Sequence, residues 1–214
     1  MPTLSEAASK ELLAAFGVPV ADERVVATVD DAVAAAAGIG HPVVLKLGGD
    51  AIAHKTERGL VRLGLGSDDQ VREAAAALLA AATPDDGEVH LLVAPMLRAT
   101  RELIAGLDDD PQFGMTVMLG VGGVLAEAVA DVSFRLVPVT RVDAAEMIDD
   151  LRLQALLGPF RGEPAVDREA VVDVLMALSD AGQRATPAIA SADLNPLLVV
   201  DGRPVAVDAL VEVR

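Results

Sequence analysis

Apolar and polar residues alternate along this chain in patterns that predict both helices and strands. Helical spacing predicts helices over about residues 4–16, 30–37, 68–82 and around 171–178, and Thr140 begins another. Short apolar or alternating runs predict strands at about 25–28, 42–47, 60–65, 89–93, 102–107, 115–119 and 134–139. Helices and strands alternate early, strands then dominate, and a helix and a hairpin close the chain. This order predicts an α+β fold with more than one sheet rather than one doubly wound sheet.

The closing hairpin is signalled by the pair Asp201-Gly202 between two apolar runs rich in β-branched residues. Such a pair predicts a two-residue turn in which Val200 lies opposite Arg203. A three-residue turn would shift this register by one position, and the sequence alone leaves that alternative open.

With a two-residue turn, counting outward places Asn195 opposite Asp208, with Cβ atoms roughly 4.5–5.5 Å apart. Asp193 shares their face, because side chains alternate along a strand. Three oxygen-bearing side chains would then converge at the end of an apolar hairpin, and oxygen ligands suit Mg²⁺. An ordinary solvated hairpin end is the alternative interpretation.

Two polar motifs predict where helices begin. Thr3-Leu-Ser-Glu6 has the spacing of a capping box that opens the first helix, and Gly17 would end that helix. Ser67-Asp-Asp-Gln70 has the same spacing and would open the third helix.

Composition narrows the class of partner. The chain has 33 acidic against 17 basic residues and a formal net charge of -16, which argues against nucleic acid as a partner. A few cations gathered in a cleft could still bind a phosphate ligand. The sequence contains no cysteine, which excludes disulfides and sulfur-ligated metals and fits a cytoplasmic protein. It carries no apolar run near the ~20 residues that span a bilayer and no signal peptide, so we expect no membrane association.

Two basic positions point to phosphate chemistry. Lys46 lies in an apolar strand, where an unpaired lysine is costly to bury. It could hold phosphate oxygens in a cleft or face solvent from a half-exposed strand. His54 and Lys55 follow a glycine-containing loop. A histidine there could shuttle protons, bind a metal or accept a phosphoryl group.

Other polar residues each have two interpretations. Glu102 begins a strand, and Arg135 follows the glycine cluster Gly120-Val-Gly-Gly123. Either side chain could serve a ligand or form a surface ion pair, and the glycine cluster alone is typical of a tight turn. The sequence has neither the Gly-Lys-Ser/Thr phosphate loop nor the Gly-x-Gly-x-x-Gly dinucleotide motif.

Nine short motifs, weak singly, occur in an order that is strong evidence for one family. They are Leu4-Ser-Glu with Glu11-Leu-Leu; Gly17-Val-Pro19-Val; Pro42-Val-Val-Leu-Lys46; His54-Lys55-Thr56; Asp110-Pro-Gln-Phe-Gly114; Gly120-Val-Gly-Gly123; Asp131-Val-Ser-Phe-Arg135; Arg161-Gly-Glu-Pro164; and Asp193-Leu-Asn-Pro196 with Val207-Asp208. Over nearly its whole length, the chain resembles the ATP-grasp, or β-type, portion of ADP-forming acyl-CoA synthetases, the relatives of succinyl-CoA synthetase.

The resemblance implies an ATP-grasp fold, in which two lobes enclose a nucleotide cleft. Residues 1–214 would form a single such domain. The small lobe would span about 20–93, and the large lobe about 94–214 together with the N-terminal helix 3–17.

The resemblance also assigns nucleotide contacts. Lys46 matches the lysine that contacts the nucleotide phosphates, and Lys55 is expected to bind the nucleotide as well. Glu102 matches the carboxylate that holds the ribose. The backbone of the hinge, residues 93–97, matches the segment that meets adenine. Its nucleotide-binding residues would be Val93, Ala94 and Met96.

Metal and catalytic roles follow from the same resemblance. Asn195 and Asp208 match the Mg²⁺ ligands, in agreement with the hairpin count. His54 matches a histidine thought, in the two-subunit acetate-type enzymes, to carry the phosphoryl group. Asp193 and Arg135 are expected to assist catalysis, Arg135 by supplying positive charge. The cofactors implied are ATP or ADP and Mg²⁺.

The implied activity is that of an ADP-forming acid–CoA ligase working with an α-type CoA-binding subunit or fused domain, in a hetero-oligomer. A regulatory module with the same fold, as in a protein acetyltransferase assembly, is the alternative. The acid, the choice of ATP or GTP, the oligomeric state and the physiological direction do not follow from the sequence.

Overall fold

The computed structural model describes residues 2–49, 52, 55, 58–123 and 126–214, with the backbone alone for Glu127. The helices are α1 (Glu6–Ala14), α2 (Val29–Ile39), α3 (Asp68–Ala80), α4 (Ala126–Val129), α5 (Arg141–Asp149) and α6 (Arg168–Arg184). The strands are β1 (Arg24–Val26), β2 (Val43–Gly49), β3 (Val61–Leu65), β4 (Val89–Pro95), β5 (Glu102–Asp110), β6 (Gly114–Val121), β7 (Val132–Leu136), β8 (Ile189–Val200), β9 (Arg203–Ala206) and β10 (Leu210–Val213). Within these described ranges, no helix is both long and apolar enough to cross a membrane.

The chain divides into two compact units. The larger unit contains residues 2–4, 8–20 and 98–214, and the smaller unit contains 5–7 and 21–97. The sequence predicts a small lobe at about 20–93 and a large lobe at about 94–214 together with the N-terminal helix 3–17. The two observed units divide between residues 97 and 98, just after β4.

The smaller unit is an antiparallel sheet with the strand order β1-β4-β2-β3. Helices α2 and α3 cover one face, and Leu45, Leu47 and Val93 belong to the core between helices and sheet. Because side chains alternate along β2, Lys46 projects from the opposite face. The fold therefore takes this lysine out of the apolar core that surrounds its strand.

Polar caps explain where α2 and α3 begin. The Thr28 hydroxyl accepts a hydrogen bond from the Asp31 N–H, and the Ser67 hydroxyl accepts one from the Gln70 N–H. Each cap satisfies a backbone donor that has no partner within the helix. The predicted helix start at Ser67 is confirmed.

The larger unit is a second antiparallel sheet, with the order β10-β8-β5-β6-β7 and with β9 also paired to β8. Helices α5 and α6 pack against one face of this sheet. The core there includes Val171, Leu175 and Leu178 of α6, together with Leu107 of β5 and Val117 of β6. The described residues thus confirm an α+β fold with more than one sheet.

The closing hairpin has the predicted register. Val200 pairs with Arg203, and both turn residues have positive φ, 49° at Asp201 and 84° at Gly202. This backbone is that of a type I′ turn, whose twist matches that of the flanking strands.

The start of α1 differs from the prediction. Thr3 forms an isolated bridge with Glu212, and α1 begins at Glu6. Glu6 is therefore the first helical residue, and the predicted capping box is wrong because Thr3 takes part in non-local pairing. Strand β10 is also absent from the prediction, because the non-strand residues 207–209 separate it from β9.

A salt bridge joins Arg58 to Asp86 within the smaller unit. The two Asp86 carboxylate oxygens accept hydrogen bonds from Arg58 Nη1 and Nη2, at 2.7 and 2.9 Å. One of them also accepts from the Thr83 N–H at 2.8 Å. The Arg58 guanidinium, and next the Thr83 N–H, hold the pKa of Asp86 well below its usual range.

We expect Asp86→Asn to destabilise the protein in a pH-dependent way. A depressed carboxyl pKa contributes stability above the unfolded-state value, near ~3.9, and that stability is lost as pH falls through the folded-state value. The stability gap between variant and wild type should be constant between about pH 5 and 8 and should narrow below about pH 4. Urea unfolding over this pH range measures the gap. Asp85→Asn makes the same change at an exposed neighbouring residue and is the matched control. A gap between Asp86→Asn and wild type that stays equally large below about pH 4 would contradict the prediction.

Candidate functional site

Three oxygen-bearing side chains meet at the end of the closing hairpin. The Val207 N–H bonds to the Pro196 carbonyl, and Leu210 pairs with Asp193, so one register continues from β9 into β10. That register places Asn195 opposite Asp208, as the two-residue turn predicts. Asp193 and Asn195 are two apart on β8 and share a face.

Strands β8 and β5 approach each other closely next to Asp193. Asp193 lies opposite Gly106 of β5, and a Cβ on Gly106 would come within 2.5 Å of the Ala192 carbonyl oxygen. The register of β8 against β5 also shifts by one residue between Leu103 and Ala105. This bulge lies where the β8 chain passes Asn195, and bulges often redirect side chains at functional sites.

The electrostatics of this group favour a cation. Asp193 is exposed, yet the loss of hydration around its carboxyl group raises its pKa above the usual value. The negative charge of Asp208 raises that pKa further, and a hydrogen bond from Asn195 opposes the rise. A positive ion between the two carboxylates would reduce their electrostatic repulsion.

The oxygen donors of these residues fit Mg²⁺. Hard divalent ions prefer carboxylate and amide oxygens, and Mg²⁺ commonly uses one or two carboxylates plus substrate phosphates. Two carboxylates and one amide oxygen on one face satisfy that donor set. The part of the chain that the structure describes holds no cluster of three or more His, Cys, Asp or Glu residues suited to a metal. Waters and substrate phosphates would supply the remaining ligands that Mg²⁺ commonly takes.

Glu102 lies on the same face of the sheet as Asp193. Glu102, Ile104 and Gly106 alternate along β5, and Gly106 pairs with Asp193. Glu102 lies four positions along β5 from Gly106, the residue beside Asp193, which corresponds to about 13 Å. Glu102 also lines a cavity of about 260 Å³ within the larger unit, together with Gly122 and Gly123.

The buried residue Arg101 lines this cavity and forms hydrogen bonds beside it. Arg101 donates to the carbonyl oxygens of Gly158 and Pro164, at 3.0 and 2.6 Å, and forms a salt bridge with Glu163 at 3.3 Å. Glu163 also accepts a hydrogen bond from the Thr100 N–H. Arg101 thereby ties the loop that carries the Arg161-Gly-Glu-Pro164 motif to the start of β5.

In the smaller unit, two predicted nucleotide-binding lysines share one carboxylate. Lys46 Nζ lies 2.6 Å from Glu6 Oε1, and Lys55 Nζ lies 2.7 Å from Glu6 Oε2. The Glu6 side chain has no exposed surface, and the lysine side chains are 11% and 12% exposed. The structure therefore brings the two ammonium groups together around a buried glutamate.

The predicted hinge residues differ in what they offer. The Val93 side chain is in the core of the smaller unit, so only its backbone could meet a ligand. Ala94 lies on the other face, paired with Val44. The Met96 N–H already donates to the Pro42 carbonyl at 3.0 Å.

Arg135 is not brought to the face that carries Asp193. It pairs with Val117, whose side chain lies in the core beneath the helices. Its guanidinium forms salt bridges with Asp150 at 2.8 Å and Glu146 at 3.7 Å, and Asp150 raises its pKa. The register of β7 turns Arg135 toward α5, and its expected role in catalysis stays a prediction.

His54 lies outside the described residues, so its predicted role stays a prediction. The sequence analysis assigned no role in the site to two residues, Glu6 and Arg101. For Glu6, the misleading signal was its capping-box spacing. For Arg101, a basic residue immediately before a strand carried no distinctive pattern.

Comparisons with known proteins identify the family of this chain. The family model for the ATP-grasp domain matches residues 2–213. The chain therefore belongs to the ATP-grasp family. Its place there is among the β-type portions of ADP-forming acyl-CoA synthetases, as the nine motifs predict.

Two relatives, one of them solved in two states, support that placement. The chain is 36% identical over 209 residues to the ADP-forming acetate–CoA ligase I subunit beta of Pyrococcus furiosus, covering 96% of this chain and 90% of that protein. An acetyl-coenzyme A synthetase 1 of Ca. Korarchaeum cryptofilum, solved with coenzyme A, Ca-AMPCP and HgCl+, matches with a TM-score of 0.91 and 36% identity, covering 100% of this chain and 94% of that one. The same synthetase with coenzyme A and Mg-AMPPCP, its phosphohistidine segment pointing towards the nucleotide binding site, matches with a TM-score of 0.84 and 37% identity, covering 100% and 93%.

Proposed function

We propose that this chain is the nucleotide-binding, phosphoryl-transferring subunit of an ADP-forming acid–CoA ligase. The overall reaction converts acyl-CoA, ADP and phosphate into the acid, CoA and ATP. The observation that carries the proposal is the hairpin register, which gathers Asp193, Asn195 and Asp208 on one face of the sheet. The ligase names of the relatives support it.

Each residue has a proposed task. Asn195 and Asp208 would hold Mg²⁺, which when bound neutralises charge on the nucleotide phosphates. Lys46 and Lys55 bind phosphate oxygens, and Glu102 orients the ribose. Phosphoryl transfer depends mostly on positioning and charge stabilisation, which these groups provide.

The transfer itself is proposed to pass through His54. A neutral imidazole nitrogen of His54 attacks the phosphorus of a phosphohistidine on the α-type partner, so that the donor's P–N bond breaks as the P–N bond to His54 forms. An oxygen of the ADP β-phosphate then attacks phosphorus, so that the P–N bond breaks and a P–O bond of ATP forms. The imidazole leaves without its phosphoryl group and can begin another cycle.

The proposal requires a partner. The CoA-binding step needs an α-type subunit or fused domain, because the motifs found here account only for the nucleotide-binding part. The word "subunit" in the name of the Pyrococcus relative supports a hetero-oligomer. We place the protein in the cytoplasm. No described contact favours the alternative of a regulatory module.

Binding of nucleotide by the isolated chain tests the proposal. We expect isothermal titration to detect Mg·ADP binding, and we expect no acyl-CoA formation without the partner. Chelation of Mg²⁺ should weaken the binding, because the two carboxylates repel phosphate when no cation lies between them. The absence of both heat and thermal shift at millimolar Mg·ADP would overturn the proposal.

A further inference from the structure

Glu6 joins two lysines that are far from it in sequence. Its carboxylate contacts Lys46 on β2, 40 residues along the chain, and Lys55, which lies between β2 and β3 in sequence. All three residues belong to the smaller unit. A carboxylate with no exposed surface is costly unless it is paired, and here each oxygen has its own ammonium partner.

We propose that Glu6 is a positioning residue for the nucleotide phosphates. It would hold the Lys46 and Lys55 ammonium groups at a fixed separation, so that both are in place before the nucleotide arrives. This inference rests on the proposed function, because it gives Glu6 a task in the same site.

The geometry explains how a carboxylate can assist an anion site. Lysine has a long flexible side chain, and ordering two of them upon binding would cost conformational entropy. Glu6 orders both in advance. An ammonium group has three N–H donors, so its bond to Glu6 does not by itself prevent a bond to a phosphate oxygen. In this proposal, the benefit of ordering both lysines in advance exceeds the competition between Glu6 and the phosphate for their ammonium groups.

A purely structural role is the competing explanation. Glu6 is the first residue of α1, where a carboxylate also interacts favourably with the helix dipole. Under that explanation, loss of Glu6 would lower stability and would affect nucleotide binding independently of the lysines.

The test is a double-mutant cycle on Mg·ADP affinity. Glu6→Gln, which keeps the shape and removes the charge, should weaken Mg·ADP binding by about tenfold, as expected when two side chains must be ordered on binding. In a Lys46→Met/Lys55→Met background, the same change should have almost no further effect on affinity. Additive losses would assign Glu6 a structural role instead and overturn the inference.

Controls keep the test decisive. Glu11→Gln makes the same chemical change at an exposed position of α1 and should leave Mg·ADP affinity at the wild-type value. Melting temperature and circular dichroism check that each variant is folded. Should Glu6→Gln not fold, Glu6→Asp keeps the charge with a shorter reach and should also weaken binding. Wild-type affinity in that variant would overturn the inference.

The sign of the effect also discriminates. Tighter Mg·ADP binding in Glu6→Gln would mean that the carboxylate competes with phosphate, which contradicts positioning. If wild-type protein does not bind Mg·ADP at all, the proposed function fails. If wild type binds and Glu6→Gln binds equally well, only the inference about Glu6 fails.

Discussion

Replacing His54 by alanine should abolish phosphoryl transfer in the complex reconstituted with the CoA-binding partner. Alanine offers no nitrogen to accept the phosphoryl group, so we expect turnover to fall at least about a thousandfold. Mg·ADP affinity should change little, because the proposed nucleotide contacts come from other residues. Acyl-CoA-dependent ATP formation measures the first effect, and titration calorimetry measures the second.

A histidine elsewhere in the smaller unit provides the control. His41 contacts the Leu65 carbonyl and Asp68, and its replacement by alanine should leave turnover near the wild-type rate. Wild-type turnover in His54→Ala would remove His54 from the mechanism. A joint loss of turnover and Mg·ADP binding would instead assign it to nucleotide binding or folding.

Asp208→Asn should cause the largest loss of nucleotide affinity. The change removes one of the two carboxylates that face the proposed Mg²⁺ position while keeping an oxygen that can accept from the Ala209 N–H. We expect Mg·ADP binding to weaken by about a hundredfold, the upper range seen when support around a metal is lost. The difference between variant and wild type should disappear when Mg²⁺ is chelated.

Stability separates this effect from misfolding. Asp208→Asn removes a negative charge that acts on Asp193, so the melting temperature of the nucleotide-free variant should not fall. Asp193→Asn removes the neighbouring charge and shows whether that carboxylate also contributes to metal binding. Wild-type Mg·ADP affinity in Asp208→Asn would contradict its assignment as a metal ligand.

Local signals allowed the hairpin to be predicted from sequence. A two-residue turn fixes register by itself, because Asp201 and Gly202 both adopt positive φ and the flanking residues then pair outward. The juxtaposition of Asn195 with Asp208 follows from counting. The same reasoning stops at β10, since an interruption after β9 hides the continuing register.

Long-range pairing limited the rest of the site. The spacing of Thr3 and Glu6 fits a capping box, but the partners of both residues are distant in sequence. The face on which Arg135 lies depends on how β7 aligns with β6 and on which side the helices cover. None of these alignments leaves a local pattern that a single sequence could reveal.

The main-chain approach between Gly106 and Ala192 limits how this domain could be repurposed. A Cβ at residue 106 would lie 2.5 Å from the carbonyl oxygen of Ala192, the residue that precedes Asp193. A backbone carbonyl cannot be shortened by substitution as a side chain can. Engineering a different ion preference would therefore have to change the ligand side chains and keep glycine at position 106.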